Sequence, residues 1–300
     1  MWEGTPFDLD SYFARISFTG DRTPTLQTLQ AIASRHPASI PFENLDALLR
    51  RPIELDPLSL QRKLVLQRRG GWCFEHNLLL GHALTALGFA VTGLAARVAW
   101  MAPPGPVRPR SHMLLRIDLP PARSALRRTS DQAYLVDVGF GGLTLTGALR
   151  FVPGLEQETP HEVFRIRSGG SAGVGAARNP PHATDVFVME ARVAGEWRAL
   201  YTFDAQPQAL ADYEVSNWYL CHHPSSHFLT TLMAARVDAD RRYALRNGEL
   251  SVHHRGGASE RTTLLSAMEI RRALDELFHI DVPERAEVDA ALERLLPVAL

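Results

Sequence analysis

Apolar positions recur at helical spacing through the first ninety residues and give way to alternating, β-branched runs beyond. Thr23-Pro24 offers an N-cap with proline at the first helical position, and Leu26, Leu29 and Ile32 follow on one face. Asp56-Pro57 repeats the device ahead of Leu58, Leu60 and Leu64. Phe74, Leu78, Leu80, Leu84 and Leu87 form a third helical set, with Gly88 placed to close it. Strand-like runs follow at 91–100, 112–119, 133–138, 162–167, 185–193 and 196–203. Between them, 102–110 is rich in proline, 122–132 is polar and basic, and 168–182 is rich in glycine, alanine and proline. This middle region reads as an antiparallel barrel or sandwich.

The last third mixes types. Strand-like runs stand at 229–235, 243–245 and 249–254. Ser266-Ala-Met-Glu269 is a capping box, and Ile270, Ala273, Leu274, Leu277 and Phe278 make an amphipathic stripe behind it. A final helix is expected from near Pro283 through Val288, Leu292 and Leu295. Helices first, strands second and a mixed region last describe an α+β fold in three lobes, with no internal repeat.

Composition narrows the function classes. The chain has 300 residues, a net charge of −1 and 45% hydrophobic residues, as in an ordinary globular protein. That charge argues against electrostatic binding of nucleic acid or an anionic membrane. Neither a basic stretch followed by an apolar run nor a long apolar span is present, so neither signal peptide nor transmembrane helix is expected. The two cysteines, Cys73 and Cys221, make no disulfide framework, and a cytoplasmic setting fits.

The chemistry concentrates at 68–77, Arg-Arg-Gly-Gly-Trp-Cys-Phe-Glu-His-Asn. Cys73 follows a glycine pair at the start of a helix, where unpaired N–H groups favour the thiolate. On residue type alone a lone cysteine is a small buried hydrophobe. A nucleophile needs a base and a group to orient that base. Among 12 histidines, His112 opens a strand after the proline-rich loop, and Asp137 ends the buried strand Tyr134-Leu-Val-Asp137 before Val-Gly-Phe-Gly-Gly. A carboxylate there needs a partner. In one scheme Asp137 fixes the tautomer of His112, and the other ring nitrogen takes the Cys73 proton. The backbone N–H of Cys73 is the candidate oxyanion donor.

Arg-Gly-Gly-Trp-Cys-Phe-Glu-x-Asn at 69–77 resembles the active-cysteine motif of the arylamine N-acetyltransferases. Ile40-Pro-Phe-Glu-Asn-Leu-Asp46, Ser111-His-Met-Leu-Leu115, Val136-Asp-Val-Gly-Phe-Gly-Gly142, Asn217-Trp-Tyr, His223-Pro and Leu232-Met-Ala-Ala-Arg236 are similar to its other blocks, in family order. The resemblance implies an N-terminal helical bundle at 1–88, a central antiparallel β-barrel at 89–210 and a C-terminal α/β lid at 211–300. It implies a papain-like Cys-His-Asp triad of Cys73, His112 and Asp137. It implies ping-pong transfer of acetyl from acetyl-CoA, a co-substrate and not a bound cofactor, to arylamines, arylhydroxylamines or hydrazines. The expected partners are these small molecules and coenzyme A, with a homodimer as a further expectation.

Other residues follow from the same blocks. Glu43 and Arg69 are expected to pair, joining the early motif to the cysteine turn. Phe42, Phe74, Phe140 and Phe203 are candidates for an apolar amine pocket. Val98 and Trp100 resemble positions near the acyl-donor cleft, and Gly139-Phe140-Gly141 brings bare backbone to the site. Cys221, His222, His223 and His227 are read as no metal site, because Pro224 interrupts them. His76 stands where many relatives carry glutamine and is expected to pack rather than tune the thiol. The basic insert from Pro121 to Arg128 and the stretch at 168–182 also depart from the family pattern. Two alternatives stay open: an amide synthase of the same superfamily using a carrier-bound acyl chain, and a cysteine hydrolase of protease or transglutaminase type.

Overall fold

A computed structural model describes residues 1–2, 7–102, 105–119, 133–169, 185–283 and 285–296. The basic insert at 121–132 lies outside these residues, as does most of the 168–182 stretch.

The N-terminal part is helical, with α1 (Leu9–Arg15), α2 (Leu26–Ser39), α3 (Leu45–Leu48), α4 (Pro57–Leu60) and α5 (Cys73–Ala86). The cap of α2 is not Thr23. Asp21 accepts from both the N–H and the hydroxyl of Thr23, so the cap passes to Thr25, which accepts from Thr28 N–H at 3.2 Å. Asp56 caps α4 as its sequence indicates, accepting from Leu58 and Ser59 N–H at 3.1 and 3.0 Å. The chain then runs on into a π-helical segment, Gln61–Leu66. Helix α5 is buried from Cys73 to Leu84, and Gly88 closes it at φ +90°.

Eight antiparallel strands form one sheet in the order β5-β4-β3-β2-β9-β8-β7-β6. They are β2 (Ala90–Val98), β3 (His112–Asp118), β4 (Ala133–Val136), β5 (Leu149–Arg150), β6 (Glu156–Glu158), β7 (Val163–Gly169), β8 (Val186–Val193) and β9 (Glu196–Asp204). The sheet curls into a nearly closed barrel and not a sandwich. Between its outer strands, the Gln157 amide donates to Arg150 O at 3.0 Å and accepts from Arg150 N–H at 2.7 Å. Its interior is packed with Leu94, Leu114, Phe164, Met189 and Tyr201.

A second sheet takes β1 (Phe42–Glu43) from the N-terminal part and adds β10 (Met233–Val237), β11 (Arg241–Arg246), β12 (Glu249–His254) and β13 (Ser259–Thr263). Helices α7 (Ala267–Glu276) and α8 (Ala286–Glu293) cover it. Three readings need correction here. The 229–235 run divides into a 3-10 turn at His227–Leu229 and a strand that begins only at Met233. Ser266 caps α7, but Glu269 reaches back to Leu265 N–H at 2.7 Å and not to Ser266 itself. The last helix begins at Ala286, after Arg285 in extended conformation, and Arg271 donates to the Pro283 carbonyl ahead of it at 3.1 Å. Strand β13 is exposed throughout, so no apolar pattern announces it. Helix α6 (Leu210–His222) buries Tyr213, Asn217, Leu220 and Cys221 and joins the core of the N-terminal helices. Among the described residues no helix is long and apolar enough to cross a membrane.

Candidate active site

Cys73 is the first residue of α5 and 6% exposed. The extended Trp72 precedes it, and Glu75 turns back to accept Trp72 N–H at 3.0 Å. The glycine pair before Trp72 has a steric reason. A Cβ on Gly70 would lie 2.1 Å from the Pro41 carbonyl. Beneath this turn lies a buried ionic network. Arg69 donates to Glu43 at 2.9 Å, and Lys63 bridges Asp46 and Glu75 at 2.7 Å each. The Glu43–Arg69 contact therefore belongs to a five-residue cluster. Burial pushes the Glu75 carboxyl up and Lys63 opposes it. Such a network orients more than it stabilises, since desolvation offsets much of the attraction.

His112 opens β3 and is 3% exposed, and Asp137 follows β4 fully buried. The two strands pair in register from Leu115↔Val136, which carries both residues to one end of the sheet. His112 Nε2 lies 2.7 Å from Asp137 Oδ2. Nδ1 is the nitrogen left for the Cys73 thiol, which helps to hold the proton on the ring. Cys73 Sγ also lies 3.7 Å from the Ser111 carbonyl. Burial disfavours the imidazolium, but the Asp137 charge and the bonds to Asp137 and Cys73 outweigh it and hold His112 up to about 10. Burial alone would raise Asp137. His112, Gly139 N–H and the Asn77 amide keep its carboxyl below the usual range instead.

Asn77 is a site residue that pattern reading missed. Its Nδ2 donates to Cys73 O, Met113 O and Asp137 Oδ1 at 3.1, 2.9 and 3.1 Å, and its Oδ1 accepts Val138 N–H at 3.2 Å. One side chain thus joins the cysteine helix to both strand ends. Its place one turn past Cys73 was the available signal. Gly139 passes directly beside it, where an added Cβ would lie 2.6 Å from Cys73 Cα. Gly139→Ala should therefore lower stability by about 1–3 kcal/mol and reduce thiol reactivity, read by thermal melting and Cys73 alkylation. A variant with wild-type values for both would contradict this close approach.

The aromatic candidates divide. Phe42 is half-buried, 6.4 Å from Phe228 and against Gly141, which has φ +77°. Phe140 packs edge-on to His112 at 5.1 Å. Phe74 and Phe203 lie deeper. Phe74 is fully buried between Trp72 and Tyr213, and Phe203 packs with Phe151 and Phe187 in the barrel. Helical and strand periodicity turn both toward packed side chains. Phe228 takes a position beside Phe42 instead, 5.3 Å from Trp72, on a loop clamped by Asn44 Nδ2 at Phe228 O and Thr231 O. Tyr201 also escaped notice. Its ring lies 4.8 Å from His112, and burial with the Asp137 charge pushes its phenol well above 10. Val98 pairs with Tyr201 at the end of β2, and Trp100 N–H donates to Leu200 O at 2.9 Å.

His76 does not approach the thiol. Its Nε2–H donates to Pro41 O at 3.0 Å, which leaves Nδ1 to accept from His36 Nε2–H at 2.9 Å. His36 Nδ1 then accepts from Tyr12 O–H at 2.9 Å. Burial holds His36 well below 6.5 and His76 at about 4, so both rings are neutral. Burial pushes the Cys221 thiol up to about 11, and that thiol is inert at neutral pH. His222 stacks on Trp218, and His223 bonds Ser225. Among the described residues no three His, Cys, Asp or Glu side chains converge on a metal site.

A thiol at a helix start, a ring beside it and a buried carboxylate behind the ring suit covalent acyl transfer. Comparison with known proteins points the same way. A family model described as N-acetyltransferase matches residues 25–288. An arylamine N-acetyltransferase of Mycolicibacterium smegmatis is 43% identical over 284 residues, covering 94% of this chain and 95% of that protein. The arylamine N-acetyltransferase / N-hydroxyarylamine O-acetyltransferase of Salmonella typhimurium is 34% identical, covering 91% and 89%. The structure of Mycobacterium marinum arylamine N-acetyltransferase in complex with CoA superposes with a TM-score of 0.85 at 38% identity, covering 96% of this chain and all of that one.

Proposed function

Since this chain belongs to the arylamine N-acetyltransferase family, and is thus an acetyl-CoA-dependent acyltransferase acting on arylamines, we propose that it works by a ping-pong route through an acetyl-Cys73 intermediate. The Cys73 thiolate attacks the carbonyl carbon of acetyl-CoA. The tetrahedral oxyanion collapses, the carbon–sulfur bond to coenzyme A breaks, and the coenzyme A sulfur leaves with the proton held on His112. An arylamine nitrogen then attacks the acetyl-Cys73 thioester. Neutral His112 takes the amine proton as the amide forms, and the Cys73 sulfur is released as thiolate beside the imidazolium. General acid–base help of this kind contributes about 10²–10⁴-fold.

Asp137 orients the ring and stabilises the imidazolium. The Cys73 N–H, unpaired at the start of α5, is the proposed oxyanion donor. Phe42 and Phe140 line the acceptor side in this reading, together with Phe228, while Val98, Trp100 and the Gly139-Phe140-Gly141 backbone face the acyl donor. Glu43 and Arg69 support the cysteine turn, and the lobe from 211 onward closes over the thiol. Arylhydroxylamines and hydrazines fit as acceptors because each presents a nucleophile on a small aromatic or flat body. The N-hydroxyarylamine O-acetyltransferase activity for which the Salmonella relative is named supports the hydroxylamine case.

The observation that carries the proposal is the 2.7 Å His112–Asp137 bond, with the ring's other nitrogen left for a thiol at a helix start. Intact-mass measurement tests it. With acetyl-CoA and no amine, the protein should gain one acetyl group, mapped to the peptide holding Cys73. Adding aniline should remove it and yield the N-acetyl product. A protein that stays unmodified, or carries the acetyl group elsewhere, would overturn the scheme.

A further inference from the structure

The turn after Asp137 is gripped from the far lobe. Arg242 lies on β11 with its side chain 4% exposed. Its guanidinium makes a two-pronged contact with Glu162, Nε to Oε1 at 2.9 Å and Nη2 to Oε2. The same Nη2 donates to the Thr144 carbonyl at 3.0 Å. Thr144 Oγ1 donates to the Asp137 carbonyl at 2.9 Å and accepts from Phe140 N–H at 3.4 Å. Leu145 N–H also donates to the Asp137 carbonyl, at 3.0 Å. The turn so held carries Phe140 against His112 and Gly141 against Phe42. A second strut stands beside it, where His161 links the Asp238 carbonyl at 2.7 Å to Thr146 Oγ1 at 3.3 Å.

We propose that Arg242 is a positioning residue for the Asp137–His112 pair: through Glu162 and Thr144 it sets the backbone of the Asp137 turn, so the seating of the far lobe is felt at the nucleophile's partners. Charge-assisted, forked contacts of buried arginine are geometrically demanding, and lysine cannot reproduce them. The Asp137 carboxylate meets His112, Asn77 and Gly139 N–H, and its carbonyl accepts from Thr144 and Leu145. Tilting that main chain therefore moves the carboxylate against fixed partners.

The inference rests on the proposed roles of Cys73, His112 and Asp137, and its test separates the two. In the full-length enzyme, Arg242→Lys keeps the charge opposite Glu162 but surrenders the Thr144 carbonyl bond. Thr144→Val keeps the side-chain volume and removes the hydroxyl's bonds to the Asp137 carbonyl and Phe140 N–H. Both should lower kcat by about ten- to a hundredfold with little change in KM for acetyl-CoA. In both, the pH profile of Cys73 alkylation by iodoacetamide should move toward higher pH, as it should in Asp137→Asn. A purely structural Arg242 would lower the melting temperature and leave that profile in place, which would overturn the inference. If Asp137→Asn itself leaves the profile unmoved, the triad reading fails instead.

Discussion

The Asp137→Asn enzyme should lose about 10⁴-fold in kcat for arylamine acetylation at neutral pH, by analogy with Ser-His-Asp enzymes in which the orienting acid becomes an amide. The direction follows from the hydrogen bonds on the carboxylate. Oδ1 accepts from Gly139 N–H and from the Asn77 amide, so an asparagine at 137 keeps its oxygen on that side. Its NH2 group is then forced against His112 Nε2. The ring must accept there and carry its proton on Nδ1, toward the thiol, where it cannot take the Cys73 proton. The imidazolium also loses the opposite charge that holds it at about 10, and burial then pushes the ring toward neutrality. Steady-state rates and the Cys73 alkylation profile check this. Activity within tenfold of the native enzyme would show that Asp137 does not set the tautomer.

The second large effect is on stability in acid. His36 and His76 are neutral in the fold, His36 well below 6.5 and His76 at about 4, and both titrate near 6.5 once unfolded. The unfolded chain therefore binds more protons between those values. The stabilisation is complete above about pH 6.5 and is lost as the pH falls toward 4. For His76 the loss is about 3 kcal/mol, from a fall of 6.5 to about 4 at about 1.4 kcal/mol per unit. Tyr12 and Arg15 from α1 and Lys63 from the π-helical segment face the two rings, the Asp137 charge opposes burial weakly at His76, and among the described residues no carboxylate hydrogen-bonds either ring. His76→Gln supplies one donor for the Pro41 carbonyl and one acceptor for His36 without a titrating group. Urea denaturation from pH 7 to 4.5 should show a shallower acid loss in the variant, by about one proton. Parallel curves for the two proteins would rule out His76 as a source of the acid lability.

Much of the site was legible in the chain because its parts obey local rules. A glycine pair before an apolar helical repeat puts Cys73 on a helix start, and the structure has it there. Strand ends carry His112 and Asp137, and pairing of β3 with β4 brings them together. The barrel was legible as alternating runs, while its closure through Gln157 was not, since one side chain bonding a distant main chain leaves no periodic trace. The depth at which Phe74 and Phe203 lie was not legible for a related reason. An aromatic residue at helical or strand spacing looks the same whether it faces a core or a cleft.

What the sequence determined by itself was the main helices and most of the barrel strands, the caps at Asp56 and Ser266, and the chemistry of a thiol, an imidazole and a carboxylate in a family's order. Tertiary structure alone decided how those groups are held. Asn77 joins Cys73 to Asp137 across 60 positions, Asn44 seats the Phe228 loop across 184, and Arg242 reaches Thr144 across 98. The physical reason is range. Backbone hydrogen bonding and side-chain periodicity act over one or two turns and are written locally. The partners of a buried polar group are set by which surfaces meet when the cores close, and burial then makes each of those bonds obligatory.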